Sequence, residues 1–396
     1  MAVAALSSRV LQTLAKPGPW TFAVLGAVEG LSRASLAAVI PLLAFDIMGN
    51  ARDVSALFTA VGWVALATSF ALPWLVRRFR VRRIYALGGA LLVVAPLLFW
   101  TSTIPGWAAG QMMRVFALAC VNIGLSLYIM AYIPKRQLGR SEPLRTFCAA
   151  FAWSIGPWLG VMLATDFAPA VAYLFSAGCA VLFLVYMLNL PLGDPLAAGP
   201  TSMATTPWRN IRRFLAQPRL ILAWLVNFGR EFWWVMFFIY GPIYMVQAGE
   251  SQQTGALILS CGTAFLFVTP LMGWIGRRVG LRRFFMACFA VSASATLAIA
   301  FVFDRHWLGA ALLLVGALCG VSLDAVGHIP FLRAVRARER PEMTMVFGTY
   351  KDMASMIPTA LFTVLLSFLP LSAVFAATGV VLYGSVLLAR FIPRGM

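Results

Sequence analysis

Charge is scarce in this chain of 396 residues: 11% of positions are Asp, Glu, Lys or Arg, where a soluble domain carries about 25%. So few charges exclude an ordinary soluble globular protein, and disorder and a collagen-like chain are excluded with it. Acids are the rarer sign, 13 against 31 bases. Histidine is nearly missing, with two residues, and neither His-Glu-x-x-His nor a Ser-His-Asp spacing occurs, so a hydrolytic enzyme has no visible machinery. There is no Gly-x-x-x-x-Gly-Lys-Ser or Gly-x-x-x-x-Gly-Lys-Thr loop, which removes a nucleotide-driven pump. The six cysteines, Cys120, Cys148, Cys179, Cys261, Cys288 and Cys319, form no CxxC pair and offer neither a disulfide frame nor a zinc site. The methionines lack a Met-x-x-x-Met or His-Met pattern on facing helices, so packing explains them better than copper. No cofactor and no metal is expected.

What fills the chain is apolar, 61% of all residues. It is arranged as twelve runs of helical length at approximately 20–47, 54–76, 84–103, 107–132, 146–165, 168–190, 220–246, 254–276, 284–303, 307–330, 344–368 and 371–389. Continuous runs of this kind predict an all-α membrane protein with twelve transmembrane helices; a transmembrane barrel would show short alternating segments instead. The bases sit between the runs, at Arg77 to Arg83, Lys135 to Arg145, Arg209 to Arg219, Arg277 to Arg283 and Arg333 to Arg340, and in the two tails. The alternate loops hold only Arg52 and Arg305. The positive-inside rule then predicts that both termini are cytoplasmic. The net charge of +18 is topological, with anionic-lipid contact as a side effect, and calls for no nucleic acid. The first 18 residues show no small-residue cleavage site and read as a short cytoplasmic tail.

The chain also repeats itself. Pro73 to Arg83 aligns with Gly273 to Arg283 at a spacing of 200 residues, identical at one Trp and four Arg positions. Ser154 and Pro157 match Ser355 and Pro358, and segments four and ten both end in Ile-Pro, at Ile133-Pro134 and Ile329-Pro330. Two pseudo-symmetric six-helix bundles are expected: a tail at 1–19, a first bundle at 20–190, a cytoplasmic linker at 191–219, a second bundle at 220–389 and a tail at 390–396. The Arg-rich stretch from Trp208 to Phe214 in the linker suits an interfacial helix.

This layout resembles the major facilitator superfamily, and the resemblance covers essentially the whole chain. The loop after segment eight is similar to that family's signature Gly-x-Leu-x-Asp-Arg-x-Gly-Arg-Arg through Gly273, Ile275, Arg278, Gly280 and Arg282, but Arg77 and Arg277 stand where the family has its acid. Arg114 in segment four resembles the family's second signature, an arginine linked to proton coupling. Gly156-Pro157-Trp158-Leu159-Gly160 in segment five resembles the Gly-Pro-x-x-Gly core of the signature associated with exporters, with Ala152 replacing the upstream Gly. The resemblance implies a drug/proton-antiporter-like secondary transporter whose two bundles alternate access to a central site. Gly156, Pro157, Gly160, Gly273, Arg278, Gly280 and Arg282 are its candidate conformational motifs.

Eight charges remain deep inside the runs, away from their ends: Arg33, Arg114, Arg230 and Lys351, with Glu29, Glu231, Asp324 and Asp352. Each would cost about 2.5–3.5 kcal/mol facing lipid at mid-bilayer, so they must face protein or water. Segments three, six, nine and twelve carry none. Glu29 and Arg33 are four residues apart and share a helix face, where they either specify packing or open for substrate or a proton. Arg230 and Glu231 are adjacent, point about 100° apart, and are expected to serve different ends. Asn227 and Gly229 suit a bend or close packing there. Asp324 and His328 are again four apart, which suits a proton site or a hydrogen bond near the surface. Tyr350 and Lys351 suit an anionic or hydrogen-bonding ligand, although a bridge from Lys351 to Asp352 or Asp324 explains them as well. Arg114 has no acid within four residues, so its partner lies on another helix or on a ligand. The aromatics of segment seven are core or line a cavity for amphiphiles, and Trp20, Trp107 and Trp307 fit an interfacial belt.

The substrate-binding candidates are therefore Arg33, Arg114, Asn227, Arg230, Tyr350 and Lys351, and the proton-coupling candidates are Glu29, Glu231, Asp324, His328 and Asp352. The expected function is proton-coupled outward transport of a small organic solute, anionic, zwitterionic or amphiphilic, by a monomer in a bacterial inner membrane. The alternatives are an importer of a nutrient or metal chelate such as a siderophore and, of another class, a non-transporting receptor or assembly factor.

Overall fold

In lipid the α-helix satisfies its own backbone, and long apolar runs take that form. The computed structural model describes residues 17–133, 135–193, 207–336 and 339–393, and is helical with no strand among them. Most of the predicted N-terminal tail, linker residues 194–206, Pro134, Arg338 and the last three residues of the C-terminal tail lie outside the described residues.

The helices are α1 (Pro19–Ser35), α2 (Val39–Met48), α3 (Ala51–Arg78), α4 (Val81–Leu98), α5 (Ile104–Tyr132), α6 (Lys135–Asp166), α7 (Pro169–Asn189), α8 (Pro207–Leu215) and α9 (Pro218–Gln247). They continue as α10 (Gln252–Ala264), α11 (Thr269–Val279), α12 (Leu281–Phe301), α13 (His306–Val326), α14 (Ile329–Ala334), α15 (Arg340–Leu365) and α16 (Ser372–Ala389). Each of the twelve predicted segments is helical. Among the described residues eleven stretches are long and apolar enough to cross a membrane; α15, which carries Lys351 and Asp352 in mid-helix, is not one of them.

Three segments are each split in two, and proline is the cause. A proline removes one backbone donor, and its ring crowds the carbonyl four residues earlier. Pro41 stands four residues after Ala37, in the gap between α1 and α2; Pro270 stands four after Leu266, in a 3-10 turn at Phe265–Val268; Pro330 stands four after Val326, where α13 ends.

The chain divides into two compact units. One holds residues through Ile47 and Ala67 to Thr201; the other holds Met48–Leu66 and everything from Ser202. The first half of α3 thus belongs with the second unit rather than the first bundle, because Gly62 lets it approach the backbone of Met356 and the Ser55 hydroxyl meets that of Tyr240.

Within the first unit, small residues permit close helix approach. An added Cβ at Gly156 would strike Ala34, and one at Gly160 would strike the Ser35 carbonyl, so α6 packs directly on the end of α1. Gly88 lies against Ala117 and Cys120, and Gly124 against Tyr85, which joins α4 to α5. Trp107 corrects the belt expectation: it is 1% exposed and donates its indole N–H to the Ile40 carbonyl at 3.2 Å. Trp20 and Trp307 are exposed, as a belt needs.

Within the second unit, α9 is buried on nearly every side. Its aromatics form a packed ladder rather than a cavity lining: Trp224 stacks on Phe228, and Phe232 and Tyr240 set edges against Phe362. Trp233 gives its N–H to Thr296 at 2.9 Å. The linker helix α8 docks here. Its Phe214 is buried with Leu220, Phe331, Met343, Phe347 and Tyr350. Arg213 meets Glu339 at 2.6 Å and Glu342 at 2.9 Å, and Gln217 donates to Glu339 at 3.3 Å.

Two outcomes follow from this packing. Gly160→Ala forces a methyl into the Ser35 carbonyl and is expected to cost about 1–3 kcal/mol, seen as a lowered midpoint in a thermal melt. Gly178→Ala, with nothing within 4 Å of the new atom, should leave that midpoint in place. Arg213 donates to Glu339 and holds its carboxyl below the usual carboxylate range. A depressed folded pKa adds stability that is complete above the unfolded value, about 4.3, and is lost as pH falls through the folded one. Hydrogen-exchange protection factors over 207–217, corrected for the intrinsic pH dependence of exchange, should therefore be unchanged from pH 7 to 5 and fall below about pH 4. Glu339→Gln should show the lower protection already at pH 7.

Candidate functional site

The intramembrane charges gather in two clusters, one in each unit, and each lies beside a break in a helix. When α1 stops at Ser35, the carbonyls of its last turn lose their partners in the next turn. Arg114, reaching from α5, donates Nη2 to the Arg33 carbonyl at 2.9 Å. Ser176 on α7 donates its hydroxyl to the Ser32 carbonyl at 2.8 Å, and Ser32 returns a bond to the Ser176 carbonyl at 2.9 Å. The partner of Arg114 is thus a broken helix end on another segment.

Glu29 and Arg33 do pair, with Nη1 to Oε1 at 3.4 Å. That is long for a charge-assisted bond. Glu29 is buried, Arg33 is partly open, and the Arg33 guanidinium lies 5.7 Å from the centroid of the Trp153 ring on α6. Gly156 and Gly160, one and two turns beyond Trp153, hold α6 close enough for this contact, and Pro157 between them leaves the Trp153 carbonyl without its own helical donor.

In the second unit the break between α13 and α14 is served in the same way. Asn227 on α9 donates Nδ2 to the Gly327 carbonyl at 2.8 Å and to the Ala223 carbonyl at 2.8 Å. Gly229 packs against Ser385, so its role is close approach. One turn along from Asn227, the 4% exposed Arg230 is the centre of a network. Its Nη2 meets Glu231 at 2.7 Å, its Nε meets Asp324 at 3.0 Å, and Nη2 also donates to the Tyr350 hydroxyl at 3.2 Å. Trp234 gives its N–H to the other Asp324 oxygen at 3.1 Å.

Three expectations change here. Arg230 and Glu231 do serve one purpose: adjacent Cβ atoms diverge, but an arginine is long enough to fold its guanidinium back onto its neighbour's carboxylate. Asp324 is not joined to His328. The chain turns at Gly327 and His328, so the pair is not one turn apart on a continuous helix; Asp324 goes to Arg230, and His328 faces the Phe347 ring at 5.9 Å and the Tyr350 ring at 6.5 Å. Lys351 forms no bridge to Asp324 or Asp352. Its ammonium, on an exposed side chain, lies 5.9 Å from the Tyr350 ring centroid and makes no ion pair among the described residues, with Asp324 near enough to feel its charge. The Asp352 carbonyl accepts the Ser355 hydroxyl at 2.7 Å.

Sequence reasoning missed Trp153, Trp234 and the Ser32–Ser176 pair. Trp234 was accessible in principle, since a buried indole N–H seeks an acceptor and this one lies four residues from Arg230. The others depend on which helices meet. The remaining motif residues sit at the ends of α11 and α12: Gly273 lies beside Ala325, Arg278 covers the Trp274 ring at 4.1 Å, and Gly280, at φ +91°, makes the turn before Arg282. Among the described residues no group of three or more His, Cys, Asp or Glu could hold a metal.

Arg230→Met would leave the half-buried Glu231 and Asp324 without the buried cation they share, and its expected cost is about 3–5 kcal/mol. The triple change R230M/E231Q/D324N should recover most of that loss in the melting temperature; a triple variant as unstable as the single one would show that the network is not what holds α9 to α13.

Several solved structures share the fold. A POT family transporter in complex with a thioalcohol-conjugated peptide aligns with TM-score 0.74 and 14% identity over 93% of this chain and 94% of its own. The nucleoside transporter NupG aligns with TM-score 0.72 and 11% identity over 94% and 97%. A D-xylose-proton symporter aligns with TM-score 0.73 and 12% identity over 95% and 97%. At such identities the likeness is one of fold. No curated protein matches the chain significantly. The sequence model of the Major Facilitator Superfamily matches residues 22–357. With that match over most of its length, on a fold shared with solved transporters, the chain belongs to the major facilitator superfamily and is an integral membrane transporter, not an enzyme.

Proposed function

We propose that the protein is a proton-coupled secondary transporter of small organic anions or zwitterions. The observation that carries this reading is Lys351. Of the four cations inside the membrane segments, Arg33 is paired with Glu29, Arg114 is spent on a carbonyl, and Arg230 is held by two carboxylates. Lys351 alone of the four makes no ion pair or hydrogen bond among the described residues; its ammonium is exposed, with Asp324 within electrostatic reach rather than in contact. A charge in a membrane segment without a close counterion is costly and suits an anionic group of a ligand.

Proton coupling is assigned to Glu231 and Asp324, which share the single guanidinium of Arg230. Protonating one carboxylate leaves Arg230 paired one to one. It also loosens the tie between α9 and α13 next to the break at Gly327, which is how a proton would bias the shape of this unit. Outward transport is supported by the Gly-Pro-x-x-Gly resemblance in α6. Peptide, nucleoside and xylose carriers among the fold relatives do not select a cargo. Cytoplasmic termini remain the orientation that the arginine distribution supports.

The test is proton flux in proteoliposomes, read with a pH-sensitive dye, against a panel of carboxylates, zwitterions, cations and neutral solutes. An anion or zwitterion should drive flux in the native protein, and Lys351→Met should weaken its apparent affinity roughly tenfold to a hundredfold, the value of one charge-assisted contact. Asp324→Asn should abolish proton movement while substrate exchange persists. Flux driven by cations and unaltered in Lys351→Met would overturn the anion reading. No flux from folded protein with any solute would move the receptor reading forward.

A further inference from the structure

The end of α11 carries a group of residues to which the proposed function gives no part in binding substrate or proton. Leu271, Trp274 and Arg278 recur at i, i+3 and i+7 and share one face of the helix. Leu271 is 52% exposed and Trp274 45% exposed. Over about 10 Å of helix that face passes from aliphatic to aromatic to cationic, the order of hydrocarbon, interface and headgroup across one leaflet of a bilayer. The Arg278 guanidinium lies 4.1 Å from the Trp274 ring centroid, so the indole holds the charge at the headgroup level.

Three more arginines join it within one turn. Gly280, at φ +91°, reverses the chain, so Arg277 and Arg278 at the end of α11 lie close in sequence and space to Arg282 and Arg283 in the first turn of α12. Arg277, Arg278 and Arg283 are exposed and Arg282 half-buried. None of the four meets a carboxylate among the described residues, and the first turn of α12 holds no acid. The carboxylate on the neighbouring helix α13, Asp324, is committed to Arg230 and Trp234. The local charge is four positives with no internal counterion. The first unit repeats the profile 200 residues earlier, with Phe70 and Trp74 exposed at 55% and 63% and Arg78, Arg80, Arg82 and Arg83 following. There Arg82 donates to the Leu188 carbonyl at 2.8 Å, so that copy is partly spent and the α11–α12 copy is the open one.

We propose that the α11–α12 loop binds the headgroup phosphate of an anionic phospholipid, with Arg277, Arg278, Arg282 and Arg283 supplying the charge and Trp274 fixing its depth. The ligand is a lipid rather than a soluble phosphate because the cations continue an exposed apolar face. A soluble anion would have no use for Leu271 and Trp274. The site is independent of the substrate reading above.

The full-length protein is taken from bilayers of equal phosphatidylglycerol and phosphatidylcholine into detergent, and the lipids retained are counted by native mass spectrometry. Native protein should keep phosphatidylglycerol in preference, and R278Q/R282Q should lose that preference roughly thirtyfold, about 1 kcal/mol for each charge removed. R278K/R282K should keep much of it. The control R333Q/R390Q, which removes the same net charge elsewhere in the unit, should keep it all. Equal loss in the control would show a diffuse attraction and overturn the site. So would full retention in R278Q/R282Q, or displacement of the lipid by millimolar glycerol phosphate, which would mark a soluble-anion site. Washing the native protein in about 0.5 M salt tests the same claim without a variant, since screening at that strength must erode a headgroup contact; a preference untouched by salt would also refute it.

Discussion

Hydrocarbon offers no hydrogen bond, and most of what is polar in this protein follows from that. A continuous helix meets the constraint without help. This chain does not keep its helices continuous: Pro41 and Pro330 interrupt segments one and ten, and each interruption frees carbonyls that nothing in the lipid can satisfy. A donor from a neighbouring helix supplies the bond in both places, Arg114 and Ser176 at the first break and Asn227 at the second. The polar residues of segments four, six and seven are in this sense consequences of two prolines. The charge clusters lie beside the breaks, where the backbone of a spanning helix is least rigid.

Much of the fold was legible because the membrane imposes a coarse code. Length and apolarity located twelve helical segments, eleven of which are long and apolar enough to cross a membrane among the described residues, and the 200-residue repeat pointed to two sets. What was not legible is where segments one, eight and ten are interrupted. Pro41, Pro270 and Pro330 are plain in the sequence, but Pro96, Pro242 and Pro358 are equally plain and lie within helices that continue through them. Sequence spacing cannot say which prolines have neighbours able to satisfy the freed carbonyls.

The candidate site divides along the same line. Glu29 and Arg33 were readable because α1 is unbroken between them, so a four-residue spacing means one face. Asp324 and His328 have the same spacing, but the turn at Gly327 separates them, and the inference fails for that reason alone. The aromatic residues of α9 were ambiguous between core and cavity, and only the partners on α12, α13 and α15 decide for core. Arg230 with Glu231 failed differently. Helical phase governs where Cβ atoms point, and it does not bound the reach of a guanidinium at the end of a long flexible chain.

The two clusters differ in how fully their charges are compensated, and that difference bears on mechanism. In the first unit Glu29 pairs with Arg33 alone, at 3.4 Å and half open to its surroundings, while Arg114 caps the Arg33 carbonyl. In the second unit one buried guanidinium holds two carboxylates at 2.7 and 3.0 Å. A buried ion pair seldom stabilises a protein more than an apolar replacement would, so a network of three is poorly explained as glue. Its distinctive property is an excess of one negative charge in a place where charge is expensive. Such a group has two ways to reach balance: take up a proton on a carboxylate, or admit a second cation. Lys351 is the cation at hand, one residue from the Tyr350 that already touches Arg230. Under the proposed function, a bound anion on Lys351 would withdraw that second option and leave the proton as the remaining way to neutrality, and substrate and proton would then be tied through charge balance within a single unit.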